Sequence, residues 1–421
     1  MRWRTRRTAW SVVAVAAVVV TAVVVAAGPG GGPDGATAVV RRAGALDEGP
    51  VAGPPTIVTL GDSYLSGEAG RWAGNTNGPT GPVDALGPAA YFDDPTGTAE
   101  TVPGCHRSAA AAAHVGGGVV SVNLACSGAR TATRPGPPFK PGIDFHDDGA
   151  GQVGQARALQ DLARTANVRM VVLSIGGNDF GFGEVVETCV KNFVLSLAVI
   201  QNLCSDDGPI TARFTPERVA EGTAAIGEAI GNVRAAMAAA GYAPSQYRIV
   251  VQNYPSPIPG GSAFRYPQSG RTRLSVGGCG FWDRDADWAN DTVLTAINTA
   301  VAAAVAQAGG EVRLLDVSGA FHGRRLCEDT VGLLEEEDLA SWQAPGAVDR
   351  TEWVRAVRIP PAAPTASQVQ ESLHPGYWGG LALRNCLRQA YDDGAPRGGR
   401  CSPAATGGLN DLGEPQMVLG R

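Results

Sequence analysis

Five short apolar runs alternate with helix-period stretches along most of the chain, and this alternation limits the fold more than any other feature. The runs are TIVTL at 56–60, VVSVNLA at 119–125, RMVVLSIGG at 169–177, YRIVVQNYP at 247–255 and EVRLLDVS at 311–318. A strand with one solvated face alternates apolar and polar residues, whereas a nearly continuous apolar run needs cover on both faces. Between the runs, residues 151–167 and 215–241 carry apolar side chains at three- and four-residue spacing. In the second stretch Thr215 is placed to cap the helix, Pro216 sits at its first position and Gly241 ends it. Further helices are expected over about 285–308 and 377–391. The pattern predicts an α/β three-layer sandwich with a central, mainly parallel five-stranded sheet. One domain is expected over 55–405 with a C-terminal tail at 406–421, and no internal repeat is present.

The N-terminus reads as an address. Arg2, Arg4, Arg6 and Arg7 precede an apolar run from Trp10 to Ala27, and a Gly/Ala/Pro-rich flexible segment follows at 28–54. A basic region before an apolar one predicts export, with residues 1–27 as signal peptide cleaved after Ala27 or within 42–45. The run has 18 residues, close to the lower limit for a membrane span, so a retained anchor on the extracytoplasmic side is the alternative. Eight cysteines suit an oxidising destination, and none stands in CxxC metal spacing. Chain proximity predicts the pairs Cys105–Cys126, Cys189–Cys204, Cys279–Cys327 and Cys386–Cys401. A net charge of −6 without a basic tract beyond the N-terminus argues against nucleic acid as a partner. Five scattered histidines suit no zinc cluster, and a monomer is expected.

In a parallel sheet, ligands gather beyond the C-terminal ends of the strands. Gly61-Asp62-Ser63 follows the first run, Cys126-Ser127-Gly128 the second and Gly176-Gly177-Asn178-Asp179 the third, while Glu371-Ser-Leu-His374-Pro stands before the last helix. The four sites supply what acyl transfer needs. A serine hydroxyl is a poor nucleophile until an imidazole accepts its proton, which suits Ser63 and His374. Glu371 is spaced to orient the ring, and the amides of Ser63 and Gly128 with the Asn178 side chain suit a developing oxyanion. Asp62 and Asp179 are expected to support their turns. Each residue also has a plainer role open to it: Ser63 as a helix cap, His374 as a cap of the last helix. Ser127 is a second hydroxyl with nothing local to set it apart from a turn serine. His106, His114, His146 and His322 receive no role.

These blocks resemble the SGNH (GDSL-type) hydrolase superfamily, especially its secreted actinobacterial esterase/lipase branch. The matching residues are G61-D62-S63-Y64-L65-S66-G67-E68, N123-L124-A125-C126-S127-G128-A129, G176-G177-N178-D179 and E371-S372-L373-H374-P375, over about residues 55–392. The resemblance implies a flavodoxin-like SGNH fold, Ser63 as nucleophile, His374 as base, and Gly128 with Asn178 completing the oxyanion hole. The chain departs from the family in having Tyr64 for leucine and Glu371 for the usual aspartate. Glu371 is one methylene longer, and some secreted relatives orient the histidine through a backbone carbonyl instead.

The expected activity is an exported serine ester hydrolase acting on lipid or short acyl esters, with no cofactor or metal required. Long loops at 71–104, 255–283 and 319–372 carry aromatic residues suited to substrate walls. The alternatives are a carbohydrate esterase, its tryptophans stacking on an acylated glycan, and an inactive wall- or lipid-binding protein. A long apolar groove would favour lipid; a shallow aromatic shelf would favour glycan.

Overall fold

The computed structural model describes residues 44–196, 200–357 and 370–421. The export segment 1–27 and residues 28–43 of the following stretch lie outside the described residues. The rest forms one compact unit.

Each of the five apolar runs forms a strand: β1 (Pro55–Gly61), β2 (Val120–Asn123), β3 (Asn167–Ser174), β4 (Arg248–Gln252) and β5 (Val312–Asp316). All pair in parallel, in the order β2-β1-β3-β4-β5. The central strands are the most buried. Ile57, Val58, Leu60, Met170, Val171, Val172, Leu173, Ile249, Val250 and Val251 are all fully inaccessible. Helices α2 (Gln155–Ala163), α4 (Pro216–Ala239), α5 (Thr295–Ala308) and α6 (Tyr377–Tyr391) supply cover, and the four-residue turn α1 (Ser63–Ser66) and α3 (Phe182–Leu195) carry parts of the site. Thr215 caps α4 through its hydroxyl on the Arg218 amide, Pro216 is its first residue, and Gly241 follows its end at φ +91°.

The sheet has seven strands rather than five. β6 (Gly399–Pro403) joins β5 in parallel and β7 (Met417–Leu419) closes the edge antiparallel to β6. β6, with Arg400 and Ser402, is too polar to register as an apolar run, and β7 is only three residues long. Pairing with β5 and the Cys386–Cys401 disulfide between α6 and β6 hold them in place. Residues 417–419 of the segment expected to be a tail are therefore part of the sheet. The N-terminal boundary also moves outward: Leu46 is buried, and the Asp47 amide donates to the Ser245 carbonyl at 3.1 Å. Leu46 and Asp47 are thus held against the domain.

The cysteines pair sequentially: Cys105–Cys126, Cys189–Cys204, Cys279–Cys327 and Cys386–Cys401. Among the described residues no helix is long and apolar enough to cross a membrane. α3 is an element that the periodicity reading passes over. It leaves the turn after β3, buries Val185, Cys189, Val190 and Phe193, and is pinned at its middle by the Cys189–Cys204 disulfide.

Candidate active site

The C-terminal end of β1 turns sharply because Gly61 adopts φ +143°. A Cβ there would lie 2.0 Å from the Ser174 carbonyl oxygen of β3, so only glycine lets the two strands meet at this point. The buried Gln155 side chain fixes the turn from the other side. It accepts from the Gly61 amide at 2.7 Å and donates to the Gly61 and Pro141 carbonyls at 2.9 and 2.8 Å. Asp62, not Ser63, caps α1: its carboxylate accepts from the Tyr64 amide at 3.1 Å. That frees the Ser63 hydroxyl from a capping role.

His374 reaches Ser63 from 311 residues away, with Nε2 2.7 Å from Oγ. Its Nδ1 lies 3.0 Å from the Ser372 carbonyl oxygen. A carbonyl only accepts, so Nδ1 carries the hydrogen and Nε2 presents a lone pair to the serine. Burial lowers the His374 pKa, opposed by the charge of Glu68, which keeps the ring neutral and able to act as a base near pH 7. The helix that follows is capped by Gly376 with no side-chain bond, so His374 does not cap it. Tyr64, standing where the nominal motif has leucine, donates its O–H to the Leu373 carbonyl at 3.3 Å and packs 5.6 Å from the imidazole. Leu373 is held at φ +60°, and backbone bonds to Arg355 on both sides hold it there (Leu373 N to Arg355 O, 3.0 Å; Arg355 N to His374 O, 2.9 Å).

Glu371 does not orient the ring. Its carboxylate accepts from the Trp72 indole at 2.9 Å and from the Tyr91 hydroxyl at 2.5 Å, away from Nδ1. The turn at Leu373 separates acid from base, and the backbone of Ser372 takes the position a triad acid would hold. Glu371→Gln is therefore expected to change kcat/KM by less than about fivefold, where loss of a true orienting acid costs about 10⁴-fold. Steady-state kinetics on a 4-nitrophenyl ester decide between the two.

The groups expected to hold the oxyanion are the Ser63 and Gly128 amides and the Asn178 side chain. The Ser63 and Gly128 amides donate to no acceptor among the described residues. Gly128, at φ +80°, holds a left-handed turn after β2. The Asn178 Nδ2 group donates to the Ala129 carbonyl at 2.8 Å, which fixes the amide plane and leaves its second N–H. Asn178 shares a cavity wall with Ser63 and His374. Asp179 supports the arrangement by accepting from the Thr131 amide at 3.2 Å and hydroxyl at 2.7 Å, tying the β3 turn to the Gly128 loop. Ser127 is buried and its hydroxyl is turned to the Glu68 carboxylate rather than to an imidazole.

Tyr254, beyond β4, is a site residue that sequence reasoning missed. Its hydroxyl donates to Asp62 and accepts from the Gly177 amide at 3.1 Å, linking the nucleophile turn to the asparagine turn. Burial pushes the Asp62 carboxyl up to about 7, against the opposing hydrogen bonds from Tyr254 and the Tyr64 amide. Nothing local marks this tyrosine in the sequence. Its neighbours Pro255 and Pro257 are the only hint that the strand ends in a shaped loop.

Among the described residues, the one grouping of metal-binding side chains is Cys189, Cys204 and Asp285. Both sulfurs are committed to a disulfide, and Asp285 accepts from the Cys204 and Ser205 amides.

The geometry of a serine–imidazole pair facing backbone and asparagine donors suits ester cleavage. The sequence model of the GDSL-like lipase/acylhydrolase family matches residues 59–333. The chain belongs to this family. It is a carboxylic ester hydrolase of the SGNH type. The family match ends before the histidine block, so it is the fold that brings His374 to the nucleophile. Solved structures similar to this one include an extracellular lipase from Streptomyces rimosus, 20% identical, covering 80% of this chain and 99% of that one at a TM-score of 0.42. A phospholipase A1 from Streptomyces albidoflavus NA297 is also 20% identical, with coverage of 80% and 99% and a TM-score of 0.39. A carbohydrate esterase family 2 enzyme plus carbohydrate binding domain from Corynascus thermopiles (Myceliophthora fergusii) is 13% identical, with coverage of 82% and 68% and a TM-score of 0.36. A search of curated protein sequences finds no match.

Proposed function

We propose that the chain is an exported esterase of the lipase kind, cutting esters of apolar acyl chains through a Ser63 acyl-enzyme. Ser63 Oγ attacks the ester carbonyl while His374 Nε2 takes its proton. The tetrahedral oxyanion is held by the Ser63 and Gly128 amides and the Asn178 side chain. His374 then passes its proton to the departing alkoxide, and a water deprotonated by His374 releases the acid and restores Ser63. The Ser63–His374 contact at 2.7 Å speaks against an inactive binding protein on the same scaffold.

The apolar lining around the nucleophile carries the substrate reading. A small cavity of about 70 Å³ beside Ser63 is walled by Phe182, Tyr254, Pro255, Pro257, Leu294 and Ile297. Past Phe182 and Gly183, a groove of about 850 Å³ continues along Val186, Val190, Val194 and Leu195 of α3, with Val357 opposite. Four of the tryptophans that a glycan shelf would expose, Trp72, Trp282, Trp353 and Trp378, lie instead in the interior, while Trp288 and Trp342 are half-buried. Export is supported by the basic and apolar N-terminal segment and by four disulfides.

The test is the rate profile over 4-nitrophenyl acetate, butyrate, octanoate and palmitate. The apolar groove predicts a maximum in kcat/KM at octanoate or longer, about tenfold or more above acetate, since each buried methylene contributes roughly 0.8 kcal/mol. Activity confined to acetate would move the assignment to a carbohydrate esterase.

A further inference from the structure

Glu68 lies five residues beyond the nucleophile and is fully buried, yet the reaction as written makes no use of it. A buried carboxylate is costly unless it is paired. One oxygen lies 2.8 Å from His106 Nδ1, and the other accepts from the Gln370 side chain at 2.8 Å. His106 follows Cys105, whose disulfide to Cys126 anchors the loop bearing Gly128. Gln370 opens the segment that carries Ser372 and His374. A single anion therefore ties together the three loops that supply nucleophile, oxyanion glycine and base.

We propose that Glu68 is the positioning anion of this site, clamped by His106 and Gln370 so that it fixes the His374 loop and sets a negative charge near the imidazolium formed during attack. The proposal rests on the Ser63–His374 reading. It divides between two groups the work one triad acid does: the Ser372 carbonyl fixes the tautomer and Glu68 supplies the charge.

The charges around the group are consistent with this role. Burial pushes the Glu68 carboxyl up, but the hydrogen bond and charge of His106, the charge of His374 and the Ser127 hydroxyl hold it below the usual range. Burial disfavours charge on His106, yet Glu68, aided by Glu100 and Glu371, raises its pKa. Tyr91 stacks on the His106 ring at 4.3 Å, and buried Lys140 faces Glu68 while donating to the Gly104 carbonyl. Toward His374 the two partners act oppositely, with Glu68 favouring the imidazolium and His106 disfavouring it. Asp62 is bound up separately with Tyr254.

Glu68→Gln keeps the shape and removes the charge. Its kcat is expected to fall about tenfold with KM within about twofold, because the lost attraction is felt mainly in the charged transition state. The acid limb of kcat/KM should move to lower pH by about 0.5 unit or more, since the imidazolium loses a stabilising neighbour. Glu68→Asp, which retains the charge, should keep the wild-type limb. Should Glu68→Gln not fold, His106→Gln carries the test, with the limb moving the other way, to higher pH. A wild-type limb in whichever of the two folds overturns the proposal, even if kcat has dropped, because a packing role does not titrate. Ser63→Ala measured in parallel separates the two layers: residual wild-type activity there would sink the nucleophile assignment, independently of Glu68.

Discussion

Ser63→Ala is expected to lose hydrolysis of 4-nitrophenyl octanoate by about 10⁴-fold or more, with the circular dichroism spectrum unchanged. The size follows from the geometry. His374 Nε2 has one acceptor lone pair, aimed at Oγ, and Ser127 is turned to Glu68 instead, so no second hydroxyl can take over. Residual activity would come from the oxyanion donors acting on water. Adding His374→Ala to the Ser63→Ala protein should cost little more, because the imidazole has no function once its proton donor is gone. If the single variant retained more than about a tenth of wild-type activity, another nucleophile would have to exist. Ser372, which lines the groove with His374, would be the first to examine.

Asn178→Ala is the second large effect. The amide is oriented by the Ala129 carbonyl, so its free N–H reaches the developing charge without reorganisation. Removing one such donor costs about 10²–10³-fold in kcat, and the loss should appear in kcat with KM nearly constant. A drop shared equally with KM would instead mean that Asn178 binds the ground state. Asn178→Asp is a harsher control, since a carboxylate facing an oxyanion repels it.

Much of this architecture was legible because its signals are local. Continuous apolar runs mark β1 to β5, and the strand ends carry the Gly-Asp-Ser, Ser-Gly and Gly-Asn-Asp turns where a parallel sheet puts its chemistry. What escaped depended on partners distant in sequence. β6 has no apolar run and β7 only three apolar residues, and backbone pairing to β5 and to each other holds them, which depends little on side-chain type. The misreading of Glu371 has the same origin. A spacing of three residues says where the acid sits along the chain, but the left-handed turn at Leu373 decides where it points. Tyr254, His106 and Gln370 carry no motif at all and become site residues only when three loops meet. Glu68 stood in the first block, and its buried pairing could not be read from that position.

Nucleophile and base stand 311 residues apart, one near the start of the folded unit and the other near its end. His374 sits at the doorway of α6, so the base is among the later parts of the site to be made. A chain that has made Ser63 but not yet His374 therefore holds a serine without its base. The pair forms only when folding brings together residues 311 apart, a non-local contact of the kind whose loop-closure entropy slows folding. The order of the sequence thus acts as a timer, keeping the serine without its base until the segment that carries His374 has folded against it.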